Sequence, residues 1–209
     1  MIDALLFDLD GTLIDTESVA LTAGMKAFAA MGHPVDEAFM HSLVGIDLPT
    51  AAGLIAAALP TLDQTGLNQL WRQGFVTAIN QNLPLKAGVL ELLAARLRPM
   101  AVVTSSGRVE AHHKLKLTGI ESAFDHIITL ADVSAPKPAA EPYLLAAQRL
   151  GVRPERCLVF EDSEAGAEAA HRAGCIVVQV PDVAPVSGRW AHHVAKDLLA
   201  GARLAGLLL

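Results

Sequence analysis

Charged residues are scarce in this sequence. Asp, Glu, Lys and Arg make up 18% of its 209 residues, where about 25% is usual. Positive charge is the scarcer sign: 16 basic side chains face 22 acidic ones, for a formal net charge of −6. Such a chain is a poor partner for nucleic acid or an anionic membrane surface, and neither is expected. There are only 2 cysteines, Cys157 and Cys175, each opening an apolar run. That excludes a disulfide framework and fits two buried, reduced thiols. No apolar stretch is long enough to span a bilayer. The N-terminus runs into an acidic motif, not into the segments of a secretory signal. A reducing cytoplasm is the expected location.

What is present is an apolar, Ala- and Leu-rich chain, 52% hydrophobic. Its length suits one α/β domain, alone or with a smaller inserted domain, and its composition favours helices. The first motif is Ala4-Leu5-Leu6-Phe7-Asp8-Leu9-Asp10-Gly11-Thr12. Its apolar start reads as a strand buried on both faces, as in a parallel sheet, ending near Asp10. Carboxylates are costly inside such a strand but suit its carboxyl end, where open α/β sheets bind ligands. Residues two apart on a strand share a face, so Asp8 and Asp10 are expected close together, with a cation or proton relieving their repulsion. Gly11 lets the chain turn away.

From Thr16 the pattern is helical. Helices are expected over 18–31, 36–43, 50–59 and 65–82, punctuated by Gly32-His33-Pro34, Pro49, Pro60 and Gly66. Trp71, Phe75 and Ile79 fall at helical spacing and read as a packing stripe. After Pro84 strands and helices alternate. Strands are expected at 100–104, 126–129, 157–160 and 175–180, with helices at 88–97, 108–117, 142–150 and 165–173 and a terminal helix over 198–209. That alternation indicates a parallel sheet with right-handed crossovers. The domains are therefore 1–15 with 84–209 as an α/β core, and 16–83 as a helical insert hinged near Ile14-Asp15-Thr16 and Leu83-Pro84-Leu85.

Three later segments carry polar groups at predicted strand or loop ends. Thr104-Ser105-Ser106-Gly107 joins a strand to a helix, which suits phosphate binding or a simple Ser N-cap. Lys137 sits between Pro136 and Pro138 in a stiffened loop, as a site lysine or a solvated one. Glu161-Asp162-Ser163, with Gly166 following, is a second acidic pair at a strand end; Asp162 or Ser163 equally suits the cap of the next helix. His112-His113 and His192-His193 lack the further ligands a metal site needs and read as solvated helix positions.

Together the four segments resemble, in order, motifs one to four of the haloacid dehalogenase superfamily: Asp-x-Asp-Gly-Thr, a Ser/Thr after the second strand, Lys-Pro, and Glu-Asp-Ser-x-x-Gly. The stretch from Asp8 to Glu17 resembles the family's β-phosphoglucomutase-like branch, rich in small-molecule phosphatases. The resemblance implies a Rossmann-like parallel sheet whose helical insert is a cap over the active site. It implies Asp8 as nucleophile on phosphorus and Asp10 as general acid/base, with Thr104, Ser105 and Lys137 holding the transferring phosphate. It further implies Mg²⁺ held by Asp8, Asp162 and the main-chain carbonyl of Asp10, with Glu161 a second ligand or an outer-shell group. Glu17 is expected either to face the site from the hinge or to favour the dipole of its helix.

The implied activity is Mg²⁺-dependent hydrolysis of a small phosphorylated metabolite, a sugar or polyol phosphate. The alternative is a β-phosphoglucomutase-type isomerase. A mutase must hold a second phosphate, and the places where that family carries its His and basic cap residue here read Val19-Ala20 and Gly45-Ile46-Asp47-Leu48-Pro49. Neither is basic, which counts against it. Dehalogenases lack the second aspartate, so Asp10 opposes that activity. A non-enzymatic protein on the same fold would have little use for the full set.

Overall fold

The computed structural model describes residues 1–44, 46, 48–95 and 98–207. The chain forms two compact units, Met1–Asp15 with Pro84–Leu209, and Thr16–Leu83.

The first unit is built on strands β1 (Ala4–Phe7), β2 (Met100–Val103), β3 (His126–Ile128), β4 (Cys157–Glu161), β5 (Ile176–Gln179) and β6 (His193–Val194). They form one sheet in the order β3-β2-β1-β4-β5-β6, and every neighbouring pair is parallel. This is a Rossmann-like α/β fold. All residues of β1, β2 and β4 are buried, as expected of strands covered on both faces. Phe7 of β1 stacks on Phe160 of β4 with ring centroids 5.2 Å apart. Among the described residues the α-helices are α1 (Thr16–Ala30), α2 (Glu37–His41), α3 (Leu48–Ala58), α4 (Gln64–Gln81), α5 (Val89–Ala94), α6 (Arg108–Leu117), α7 (Glu141–Leu150), α8 (Glu164–Arg172) and α9 (Leu198–Leu204). Ala146 and Ala147 of α7 and Ala167, Ala169 and Ala170 of α8 pack with Leu6, Val103, Val159 and Val177 in one core, small side chains that admit a close approach of helix to sheet. Ser163 caps α8 by accepting from the Gly166 N–H at 3.1 Å, which decides between the two capping residues the sequence offers.

The second unit contains α-helices at Thr16–Ala30, Glu37–His41, Leu48–Ala58 and Gln64–Gln81. Their core is Ala27, Phe28, Met40, Ile55, Leu62 and Leu67. Phe28 lies between Phe39 and Trp71, at centroid distances of 5.8 and 6.1 Å, and the Trp71 indole N–H donates to the Ala20 carbonyl at 2.8 Å. Ile79 is buried as the stripe predicts.

The structure corrects several expectations. β1 ends at Phe7, so Asp8 and Asp10 lie beyond the strand. Pro49 and Gly66 mark helix starts, sitting in the first turns of Leu48–Ala58 and Gln64–Gln81, where the missing N–H of Pro49 costs nothing. His192 and His193 are not helical. His193 opens β6, an edge strand too short to leave an apolar signature, and the His192 N–H donates to the Val177 carbonyl at 2.8 Å while its Nδ1 accepts from the Val177 N–H at 3.1 Å. The terminal helix runs Leu198–Leu204. Gly45, Asp47, Arg96, Leu97, Leu208 and Leu209 lie outside the described residues. Among the described residues, no helix is long and apolar enough to cross a membrane.

Phe28 is fully buried and fills the centre of a small core. Phe28→Ala is expected to lower the stability of the second unit by about 3–5 kcal/mol, read as an earlier urea transition of Trp71 fluorescence in a Trp190→Phe background.

Candidate active site

From β1 the sheet runs through β2 and β3 to one side and β4 to β6 to the other. Open α/β sheets bind ligands beyond the carboxyl ends of their strands at such a reversal. Asp8 follows β1 there, Thr104 follows β2, and Glu161 ends β4 with Asp162 next. The ladder continues one residue past Phe7, because the Asp8 N–H donates to the Phe160 carbonyl at 3.0 Å. That bond fixes Asp8 beside the acidic end of β4.

Lys137 arrives from the loop before α7. Glu141, in the first turn of α7, clasps that loop by accepting from the Ser134 and Ala135 N–H groups at 2.9 and 2.8 Å. The Lys137 ammonium donates to Asp8 Oδ1 at 2.6 Å, Glu161 Oε1 at 2.6 Å and the Val103 carbonyl at 2.9 Å. All its hydrogens are thereby used. Glu161 is fully buried and equally satisfied. Its Oε1 also accepts from the Tyr143 hydroxyl at 2.6 Å, and its Oε2 accepts from the Ser163 hydroxyl and N–H at 3.0 and 3.3 Å. Gly166 makes room for this carboxylate, since a Cβ there would coincide with it.

One oxygen from each of Asp8, Glu161 and Asp162 lies within 4.8 Å of the others, and no second group of three such ligands converges among the described residues. An all-oxygen set suits a hard divalent cation. The surroundings fit one. Gly11 has a φ of +83°, and a side chain there would collide with Asp162 Oδ2, so the approach to that oxygen is kept open. Thr12 Oγ1 donates to Asp162 Oδ1 at 3.4 Å, a long contact.

Burial raises the Asp8 carboxyl well above its ordinary range, with Lys137 opposing and Glu161 and Asp162 adding to the rise. Burial, then the charge of Glu161, pushes Asp162 up to about 7. Lys137 is raised too, for the opposite reason: burial favours its neutral form, but Asp8 and Glu161 outweigh that and hold it protonated. Tyr143 is raised by burial and by Glu161 and stays a phenol donor.

The fold thus brings Asp8, Lys137, Glu161 and Asp162 together. It sends the Asp10 carboxylate elsewhere, to Lys114 Nζ at 2.8 Å through Oδ1 and to the Ser106 hydroxyl at 2.8 Å through Oδ2. Asp10 is therefore no member of the carboxylate cluster. Thr104 is buried and its hydroxyl accepts from the Ser106 N–H at 3.0 Å. Ser105 is exposed. Glu17 lies in the first turn of its helix. Sequence reasoning missed Lys114, Ser106 and Tyr143. Lys114 left a signal: with Ala111 and Leu115 it occupies the buried register of α6, an unusual place for an ammonium.

The sequence model of the haloacid dehalogenase-like hydrolases matches residues 5–180. The chain belongs to this family. It is 34% identical over 185 residues to the fructose-1-phosphate phosphatase of Escherichia coli, covering 84% of this chain and 95% of that protein. It is 35% identical over 179 residues to the validoxylamine A 7'-phosphate phosphatase of Streptomyces hygroscopicus subsp. limoneus, covering 83% of each. Among solved structures, a HAD family hydrolase from Deinococcus radiodurans R1, with bound phosphate and sodium, superposes with a TM-score of 0.85 at 28% identity, covering 99% of this chain and 97% of that one. The chain is accordingly a phosphoric monoester hydrolase.

Asp162 gives the metal-free protein a defined pH dependence. Its carboxyl sits at about 7 when folded, against about 3.9 in an unfolded chain. Between those values the native state holds a proton that the unfolded state releases, so stability falls as pH rises through the window. A bound cation needs the ionised carboxylate. In EDTA the thermal midpoint is expected to drop between about pH 5 and about pH 7.5, and Mg²⁺ is expected to raise it more at the upper value. Equal stabilisation by Mg²⁺ at both would count against Asp162 as a ligand.

Proposed function

We propose that the chain is a Mg²⁺-dependent phosphatase of a small phosphorylated metabolite, a sugar or polyol phosphate, acting through an aspartyl phosphate on Asp8. The observation that carries this reading is the Asp8 carboxylate at the reversal of strand order, 2.6 Å from a buried lysine and within 4.8 Å of Glu161 and Asp162. The sugar-phosphate phosphatase among its relatives supports the substrate class. When bound, Mg²⁺ screens the anionic nucleophile from the anionic phosphate and binds phosphoryl oxygens. Asp8 and Asp162 would hold it with the Asp10 carbonyl. Glu161, its oxygens already occupied, acts from outside by fixing Lys137.

In this reading an Asp8 oxygen attacks phosphorus and the ester oxygen leaves as the alcohol, taking a proton from the Asp10 carboxyl. Water then attacks the acyl phosphate and gives a proton to Asp10. Inorganic phosphate leaves and Asp8 is regenerated. Thr104, Ser105 and Lys137 hold the phosphoryl group, and Lys137 orients Asp8 throughout. Residues 16–83 serve as the substrate-selecting cap, and their motion admits substrate and excludes water. The cytoplasm is the proposed location.

A screen of phosphorylated metabolites, reading inorganic phosphate with and without Mg²⁺, tests the reading. Asp8→Asn is expected to lower turnover by about three orders of magnitude or more while leaving the circular-dichroism spectrum unchanged, and EDTA is expected to silence the wild type. Conversion of glucose 1-phosphate to glucose 6-phosphate without phosphate release would favour the mutase instead.

A further inference from the structure

Asp182 lies three residues beyond β5, at the same edge of the sheet as the site. The chain is brought there by the Val180 N–H, which donates to the Glu161 carbonyl at 2.7 Å. The Asp182 side chain is only 9% exposed. Its Oδ1 meets Lys86 Nζ at 2.5 Å, but its Oδ2 is buried with no hydrogen-bond partner. That free oxygen would stand 3.3 Å from a Cβ on Gly11, the same space that Asp162 Oδ2 borders more closely from its own side. Two carboxylate oxygens from different strands thus converge over one missing side chain.

A structural role explains half of this. Pairing with Lys86 needs one oxygen of Asp182. It does not explain why the second is withheld from solvent, left unsatisfied at a cost in stability, and set close enough to Asp162 to raise that carboxyl further. What Asp182 Oδ2 lacks is a donor. Asp182 is not among the three carboxylates whose oxygens cluster within 4.8 Å, so direct ligation is not its role. Mg²⁺ characteristically keeps several of its waters, and acceptors for such waters tune affinity as strongly as many direct ligands.

We propose that Asp182 is an outer-sphere anchor of the divalent cation, accepting a hydrogen bond from a cation-bound water through Oδ2 while Lys86 holds the carboxylate in place. The proposal rests on the cation reading of Asp8 and Asp162 but not on the identity of the substrate. Lys86 also lies 4.0 Å from Asp15, so the anchor is tied into the residues bordering the second unit's entry and exit segments.

Calorimetric titration of the chelator-treated full chain with Mg²⁺ tests it without reference to turnover. Asp182→Asn, isosteric but uncharged, and Asp182→Ser are expected to weaken Mg²⁺ binding by about 10- to 100-fold. Their thermal midpoints in EDTA are expected to stay close to the wild type's, because loss of the Lys86 pair is offset by removal of an unpartnered buried oxygen. A merely structural residue gives the reverse, a lowered midpoint in EDTA with Mg²⁺ affinity unchanged, and that result overturns the proposal. Unchanged affinity in whichever variant folds also overturns it. If the wild type itself binds no Mg²⁺ at millimolar concentration, the cation reading fails as well, so the two failures are told apart.

Discussion

The ammonium of Lys137 is the contact on which this molecule's chemistry depends. A buried lysine without partners costs several kcal/mol. This one has three acceptors, each from a different strand end: Asp8 after β1, the Val103 carbonyl in β2, and Glu161 in β4. It therefore locks three strands in register where the sheet opens. The supporting residues make sense only through it. Gly166 lacks a side chain so that Glu161 can occupy the space above it. Tyr143 and Ser163 satisfy the remaining demands of Glu161, which leaves that carboxylate nothing to do but hold the lysine. The lysine in turn fixes which oxygen of Asp8 stays free.

Around this contact the balance of charge is uneven. Asp8, Glu161, Asp162, Asp182 and Asp15 gather about two ammonium groups, Lys137 and Lys86. A chain with so few charged residues overall concentrates them at one sheet edge. The excess of carboxylates raises Asp8 and Asp162 above their ordinary range, so the empty cluster favours protons. A divalent cation of the kind proposed would replace those protons and turn an anion-repelling edge into one that accepts phosphate. In the proposed reading, affinity for phosphate depends on the metal as well as on Lys137, whose ammonium is shared with Asp8 and Glu161.

The legibility of the sequence followed burial. β1, β2 and β4 announce themselves as continuous apolar runs because both their faces are covered, and Asp8, Glu161 and Asp162 stand out because carboxylates end those runs. Lys137 was marked by its flanking prolines. What stayed hidden was long-range partnership. Nothing local to Tyr143 points to Glu161, eighteen positions away, and β6 is a two-residue edge strand with no core face to display. Asp182 is the instructive case. It follows Val177-Val178-Gln179-Val180-Pro181 just as Asp8 follows its own strand, so the signal that singled out the first acid was present for the third. The intervening proline and the loop beyond it made it look like an ordinary turn residue.

The two aspartates of the first motif end in different electrostatic company, and the strand's early end is the reason. Had β1 continued to Asp10, the period of two would have put both carboxylates on one face. Because it stops at Phe7, the chain turns through Gly11 and the second carboxylate swings to α6, where Lys114 and Ser106 receive it. Lys114 is buried, and burial works against its charge, yet Asp10 and Glu110 keep it protonated. Each aspartate thus has its own ammonium, Lys137 for the first and Lys114 for the second. Two like charges two residues apart are thereby held each against its own cation, as the separate duties proposed for them require.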